Sequence, residues 1–266
     1  MQNRSIAITL AVILLIGCAK SRPRIEELPT QETEWIKAKE QYEKGNMMRA
    51  SELLSAYVQT HPGSNRLDEA LLLLGLSRQR VGENQVAAED FNRLIRDFPQ
   101  SSYRERAEFE RGQCSLNDAL GPARDPGATE SALALLRAYL MRYPDGSYTE
   151  QARDGVSECL ERLATKAFLN AQTYLRLRRF RSAEIYLEKA LDVRSDFSRA
   201  GEAMVGLARV RERLEDRAGA REAWEQLLEY ATPARVEKNH RLEEWRHEAE
   251  TAISRLASAG NAEAGS

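Results

Sequence analysis

The chain has 266 residues, of which 42% are apolar and 30% charged, and its formal net charge is −2. A charge so close to zero provides no basic field for nucleic acid, and an aromatic content of 7% is low for a β-sandwich. The length allows one large domain or a repeat array. Because alanine, leucine, glutamate and arginine dominate, and these residues favour helices, the composition predicts an all-α protein.

The first apolar run, from Ile6 to Ile16, is typical of a secretory signal peptide. Its length corresponds to about 16 Å of helix, against about 30 Å of bilayer hydrocarbon, so the run is too short to span a membrane. Arg4 precedes the run and the small Gly17 ends it, which is the usual layout of such a peptide. Residues 1–17 are therefore predicted to be removed.

The sequence LIGC at residues 15–18 resembles the lipobox of bacterial lipoproteins. In those proteins the chain is cut before the cysteine, which then carries an N-acyl chain and an S-diacylglycerol group. The resemblance implies lipidation of Cys18 and no other cofactor, and removal of Arg4 would change the net charge from −2 to −3. Enterobacterial lipoproteins retained in the inner membrane favour aspartate after the cysteine, so Ala19 implies the outer membrane. The alternative is an ordinary signal peptide with an incidental cysteine.

Beyond a flexible tether predicted for residues 18–33, the chain repeats a small residue followed four positions later by a large one. In three repeats a proline comes eight residues after the large one, at Pro62, Pro99 and Pro144. This spacing is typical of the tetratricopeptide repeat, in which two antiparallel helices touch at small residues and a large one fills the adjacent groove. The pairs are Ala50 and Leu54, Ala87 and Phe91, Ala132 and Leu136, Ala183 and Leu187, and Ala220 and Trp224.

The sequence therefore predicts a tetratricopeptide-repeat solenoid of five helix-turn-helix units followed by a capping helix. Each pair alone would bury too little surface, so stability must come from stacking, and the last helix needs a polar outer face. The predicted units are 34–64, 65–101, 102–146, 147–196 and 197–233, with a capping helix at 234–257 and a disordered tail at 258–266.

Two units depart from the regular spacing. In the third unit, eight extra residues fall in the stretch LGPARDPGATE, whose prolines and glycines predict an exposed loop between the helices. In the fourth unit, 14 extra residues contain no proline and keep a helical apolar period. They predict a first helix lengthened by about four turns.

The sequence offers no catalytic or metal-ligating constellation, which predicts a protein that is not an enzyme. It has no nucleophile elbow and no phosphate-binding glycine loop, and His240 and His247 are too far apart for a helical metal pair. Cys114 and Cys159 lie in predicted helices near leucines, so two packed free thiols are favoured over a disulfide.

The densest charge cluster is LRLRRFR, at the predicted turn of the fourth unit. Its arginines could form a solvated turn or could dock an acidic partner through bidentate guanidinium contacts. Tyr174 and Phe180 lie beside and within the cluster. Aromatic stacking on nucleic acid is not expected for a protein exported from the cytoplasm.

The lipobox, the tether and the five repeats resemble the BamD family of outer-membrane β-barrel assembly lipoproteins. Further details are similar over residues 14–230: a loop ending in Arg-Asp-Pro, a helix ending in Tyr-Pro, a following Ser-Tyr-Thr, and Arg162-Leu163-Ala164 in the long helix. The third-unit loop is shorter than in enterobacterial members, and the extra C-terminal helix is unusual.

The resemblance implies a non-enzymatic, lipid-anchored scaffold at the periplasmic face of the outer membrane of a Gram-negative bacterium. Family members bind the POTRA domains of a BamA-like insertase, other assembly lipoproteins and unfolded outer-membrane protein segments. The insertase contact lies in the C-terminal repeats. We therefore assign partner binding to residues of the fourth unit, namely Tyr174, Arg178, Arg179, Arg181, Glu184, Tyr186 and Glu188. The alternative is another periplasmic repeat lipoprotein, such as a secretin pilotin or a cell-envelope coordinator.

Overall fold

A computed structural model of the chain describes residues 30–119, 121 and 125–264. The predicted signal peptide, Cys18, residues 19–29 of the predicted tether and the last two residues lie outside this range. The described residues form twelve α-helices and no strand. No helix in the described ranges combines the length and the apolar character that crossing a membrane requires. The helices are α1 Gln31–Glu43, α2 Met47–Thr60, α3 Leu67–Arg80, α4 Asn84–Asp97, α5 Arg104–Asp118, α6 Gly127–Arg142, α7 Thr149–Arg176, α8 Phe180–Val193, α9 Ala200–Arg213, α10 Arg217–Tyr230, α11 Pro233–Lys238 and α12 Arg241–Ala264.

The helices pack in order as five pairs, α1 with α2 through α9 with α10, and each pair stacks on the next. The first helices of successive units also touch in the first four units, from α1 to α3, α3 to α5 and α5 to α7. This arrangement of stacked helical hairpins is the predicted tetratricopeptide-repeat solenoid, and the fold prediction is confirmed.

Small residues lie where the helices cross, as the repeat predicted. The five alanines of the repeat pattern are fully buried, as are the large side chains four residues later. A Cβ atom built on Gly75 would come within 2.6 Å of the Phe91 ring, and one built on Gly112 within 2.7 Å of Cδ2 of Leu136. The paired helices therefore approach each other too closely at these points for a larger residue, and packing sets the register of the repeat.

Four units have the same turn between their two helices. In each, one residue has a positive φ, and the next residue's N–H bonds to the carbonyl five positions back, as in a Schellman motif. The positive-φ residue is Gly45 (φ 80°) in the first unit and Gly82 (φ 89°) in the second. In the fourth and fifth units it is Arg178 (φ 54°) and Glu215 (φ 62°). A side chain disfavours this conformation, so these two turns carry backbone strain that the glycine turns avoid.

The fourth unit contains the longest of the described helices. Helix α7 has 28 residues, twice the 14 of α8 that pairs with it, as the proline-free spacing predicted. Before it, eight residues separate the end of α5 from the start of α6, five more than in the three-residue turns, so part of the predicted insertion lengthens the flanking helices. Residues 120 and 122–124 of the predicted loop lie outside the described residues. The buried side chains of the described residues form three clusters, and α7 contributes Cys159 to the middle one and Phe168 to the C-terminal one.

Three predicted boundaries differ from the structure. The tether was predicted to reach residue 33, but α1 begins at Gln31, because Thr30 caps it by accepting a hydrogen bond from the Thr33 N–H at 3.3 Å. The prediction of one helix at 234–257 is wrong, since extended backbone at Asn239 separates α11 from α12. Helix α12 also continues to Ala264, into the segment predicted to be a disordered tail, which is rich in the good helix former alanine.

Helix α12 packs against α10 in the place that the first helix of a sixth unit would take. Leu242, Ala249 and Ala252 are buried there. Two ion pairs join α12 to α9, between Arg209 and Glu248 at 2.7 Å and between Arg255 and Glu212 at 2.7 Å. The exposed residues of α12 up to residue 258 are mostly polar or charged. The helix therefore covers the end of the stacked core and presents a polar surface to solvent, as a capping helix requires.

Cys114 in α5 and Cys159 in α7 are buried free thiols, as the sequence predicted. Burial raises the pKa of the Cys114 thiol to about 12 and that of Cys159 to about 11. Because the thiolate is the reactive form, we expect neither cysteine to react with iodoacetamide at pH 8 in the folded chain. A Cys18→Ser chain, in which these are the remaining thiols, should show no mass increase natively and two additions in concentrated urea. Rapid native labelling of either thiol would contradict this expectation.

Candidate functional site

The seven residues assigned to partner binding lie at the end of α7, in the turn after it, and along α8. The structure brings the two tyrosines together. The rings of Tyr174 and Tyr186 stack with their centroids 5.3 Å apart and an angle of 18° between their planes. Both rings are half-buried, and Ile185, beside Tyr186, is 57% exposed. Helix α8 thus presents an apolar, aromatic surface next to the turn.

The two acidic residues of the set instead contact Arg211 of α9. Arg211 Nη2 lies 2.6 Å from Oε1 of Glu188, and its Nε lies 3.4 Å from Oε1 of Glu184. Arg181 also donates to Glu184, at 2.9 Å. Burial acts to lower the pKa of Arg211, but hydrogen bonds to Glu188 and Glu184 outweigh it and the pKa is raised. These carboxylates therefore have internal partners that join α8 to α9.

The turn arginines are in a different situation. Arg178 and Arg179 are exposed, and within the described residues neither has a carboxylate within 4.0 Å. Arg176 donates to Thr173 Oγ1, at 3.3 Å, and has no carboxylate partner among the described residues. Leu177, between them, is 61% exposed. The turn therefore presents several uncompensated guanidinium groups and one exposed apolar side chain to solvent.

A groove of about 410 Å³ lies beside this turn, between the fourth and fifth units. Its α9 residues were missed by the sequence analysis, because they follow Arg178 by about 30 positions. The signal in the sequence is that Gly206, Arg209 and Arg213 recur at helical spacing on one face of α9. The lining residues are Leu175, Arg178, Phe180, Gly206, Arg209, Val210 and Arg213.

The two α9 arginines that line this groove have different contacts. Arg209 forms two hydrogen bonds to Glu248 of α12, at 2.8 and 2.7 Å. The guanidinium of Arg213 lies over the ring of Phe180, 5.2 Å from its centroid, and no carboxylate of the described residues pairs with it. The groove therefore combines apolar walls with two cations that have no counter-charge. Such a site is suited to binding an anionic group and an apolar side chain together, with no chemical step.

Among the described residues, no group of three or more histidine, cysteine, aspartate or glutamate side chains could hold a metal ion.

Comparison with known proteins identifies the family. A family model described as "YfiO: Outer membrane lipoprotein" matches residues 29–227, which is most of the chain. The chain belongs to this outer-membrane lipoprotein family. Membership assigns it to the outer membrane, and both the family and the repeat fold are scaffold types that are generally not enzymes.

Among curated proteins, the chain is similar to the outer membrane protein assembly factor BamD of Caulobacter vibrioides, with which it shares 27% identity over 178 residues. The match covers 64% of this chain and 58% of the relative, so the chain spans less than two thirds of that protein. The chain is therefore a BamD-like protein of the family.

Solved repeat proteins are also similar to the chain. A tetratricopeptide repeat protein from Parabacteroides merdae has 19% identity and a TM-score of 0.36, covering 86% of this chain and 76% of its own. A thermophilic repeat protein, TTC0263 of Thermus thermophilus, has 16% identity and a TM-score of 0.36, covering 84% and 99%. At such scores these likenesses say nothing about function.

Proposed function

We propose that the protein is a non-enzymatic scaffold of the β-barrel assembly machinery, anchored by lipid at the periplasmic face of the outer membrane. In this role it binds the POTRA domains of a BamA-like insertase and assists the folding and insertion of outer-membrane proteins. The observation that carries the proposal is the family match over residues 29–227. The likeness to an outer membrane protein assembly factor supports the biological setting.

The proposed anchor is Cys18, which carries an N-acyl chain and an S-diacylglycerol group. A single acyl chain binds membranes only marginally, whereas several chains anchor a protein durably. Helix α1 begins at Gln31, so only residues 19–30 separate the lipid from the folded repeats. At no more than about 3.6 Å per residue, this segment keeps the first unit within about 45 Å of the membrane surface.

The proposed docking surface for the insertase is the exposed side of α8. Ile185 and the stacked Tyr174 and Tyr186 provide apolar and aromatic area, which is the composition that dominates binding energy at protein interfaces. Arg179 at the start of the helix adds a cation free to meet a partner's carboxylate. Other assembly lipoproteins and unfolded outer-membrane protein segments are further partners in this proposal, and a repeat solenoid offers extended surface for them.

Co-purification from detergent-solubilised outer membrane tests the proposal. We expect the insertase to be recovered with the tagged chain, and Ile185→Glu combined with Tyr186→Glu to lower that recovery about tenfold or more, because the loss of apolar contact comes with unpaired charge. Gln226→Lys, at an exposed position of α10, is the matched control and should leave recovery unchanged. Recovery of a secretin in place of the insertase would overturn the proposal in favour of a pilotin.

A further inference from the structure

We propose that the groove between the fourth and fifth units binds an acidic segment of a partner protein that carries one large apolar side chain among its carboxylates. The inference deepens the proposed scaffold function. It rests on that function for the class of partner, a protein of the assembly machinery, but not for the existence of the groove. It concerns a different surface from the exposed side of α8.

The first argument is the charge of the groove. Most arginines of these two units have a carboxylate partner, as Arg194, Arg199 and Arg211 do. Within the described residues, Arg178 and Arg213 have none, although both line the same groove. Two like charges that line one groove without a paired carboxylate disfavour each other, so a segment that brings carboxylates gains attraction to both.

The second argument is the shape and lining of the groove. Leu175, Phe180 and Val210 provide apolar walls, and Gly206 of α9 also lines the groove. The volume of about 410 Å³ lies in the range of sites that enclose a small ligand or a large side chain. The Phe180 ring holds the Arg213 guanidinium over its face, which reduces the freedom that this cation would lose on binding.

The third argument is the backbone of the turn. Arg178 occupies the position that is glycine in the first two units, with a φ of 54°. Residues other than glycine that hold this conformation cluster at functional sites, where the surrounding structure maintains the strain. Glu215 has the same conformation one unit later without lining the groove, so strain alone does not define the site. The combination of strain, missing counter-charge and an adjacent apolar groove singles out Arg178.

These features favour a protein segment over a lipid surface. The apolar part of the site is recessed between two units and flanked by the cations, so an occupant must place one apolar group in the groove and its charges at the rim. An extended peptide can place one apolar side chain in the groove and the acidic side chains on either side of it at the rim. Repeat solenoids bind such segments along their surfaces.

Peptide binding to the full chain, measured by fluorescence anisotropy, tests the inference. The probe is a labelled, terminally blocked pentapeptide with two carboxylates on each side of a phenylalanine. We expect saturable binding that weakens as salt is raised. Versions with lysines for the acids, or alanine for the phenylalanine, should bind about tenfold more weakly, as expected on losing charged hydrogen bonds or apolar burial.

Arg178→Gly separates binding from folding. This variant removes the cation and relieves the positive φ, so its melting temperature should stay the same or rise by about 2–4 °C while its peptide affinity falls about tenfold. Glu215→Gly is the matched control, with the same relief of strain and unchanged peptide affinity. Equal affinity for Arg178→Gly and the parent chain would overturn the inference. So would equal binding of the alanine peptide, absence of saturable binding, or displacement of the peptide by phosphatidylglycerol vesicles.

The two proposals can fail separately, because the peptide assay contains no insertase. Peptide binding that depends on Arg178 supports the groove whatever the co-purification shows. Loss of insertase recovery in the α8 variant with intact peptide binding supports the docking proposal and the groove as distinct surfaces.

Discussion

Replacing Cys18 with serine is expected to abolish lipid anchoring altogether. Serine has no thiol to accept the diacylglycerol group, and without that group the signal peptide of a lipoprotein is not cut. The Cys18→Ser chain should therefore remain as a precursor that still carries residues 1–17. Metabolic labelling with a radioactive fatty acid, together with the intact mass of the purified chain, measures both steps.

Ser21→Ala is the matched control for this change. It alters a small residue of the predicted tether three positions beyond the cysteine and should leave processing and acylation as they are. A Cys18→Ser chain that is still cut before residue 18 and still incorporates fatty acid would contradict the lipobox interpretation. An unlabelled parent chain would contradict it equally.

Replacing Arg211 with methionine is expected to lower the free energy of unfolding by about 2 kcal/mol, because it removes charged hydrogen bonds to Glu184 and Glu188 while Arg181 still pairs with Glu184. The side chain of Arg211 is only 14% exposed. It bonds to Glu184 and Glu188 of α8 and donates to the carbonyl of Gly219 at 3.0 Å, so one guanidinium joins α8, α9 and α10. Methionine keeps most of the apolar stem of the side chain, so the main loss is the guanidinium with its charge and hydrogen bonds. Urea unfolding followed by circular dichroism measures the difference.

Arg221→Met is the matched control, since Arg221 pairs with Glu225 four residues on, at the surface of α10. Exposed pairs of this kind contribute about 0.3–0.5 kcal/mol, so the control should unfold close to the parent chain. Equal losses in the two variants would show that Arg211 does not stabilise the C-terminal units more than a surface arginine does.

Much of the fold could be predicted because its determinants are local and periodic. A small residue such as Ala87 and a large one such as Phe91 four positions later report directly where two helices cross, and both are fully buried. The proline-free excess in the fourth unit was enough to predict the length of α7. The break at Asn239 was missed because asparagine is tolerated within helices, and only its extended backbone shows that it separates two of them.

The candidate site was less predictable, because it depends on contacts between residues distant in sequence. Glu184 and Glu188 appear as ordinary exposed charges of an amphipathic helix, but Arg211, more than 20 residues later, binds both. No local pattern reports that pairing. The role of these residues and of Arg178, Arg179 and Tyr186 in partner binding stays a prediction. The backbone strain at Arg178 could not be predicted either, because an arginine gives no sign of a positive φ. The equivalent turns of the first two units have glycine at this position.

The long helix α7 has a mechanical consequence for the whole scaffold. Its 28 residues span about 42 Å, and its side chains pack into two separate buried clusters at different points along its length. Because packed interiors transmit strain, we expect a helix that is packed into both clusters to move as one rigid element. A tilt of about 5° at one end displaces the other by about 4 Å, given the rise per residue of a helix. We therefore expect a displacement of the third unit to be transmitted along α7 to the arginine turn at its C-terminal end.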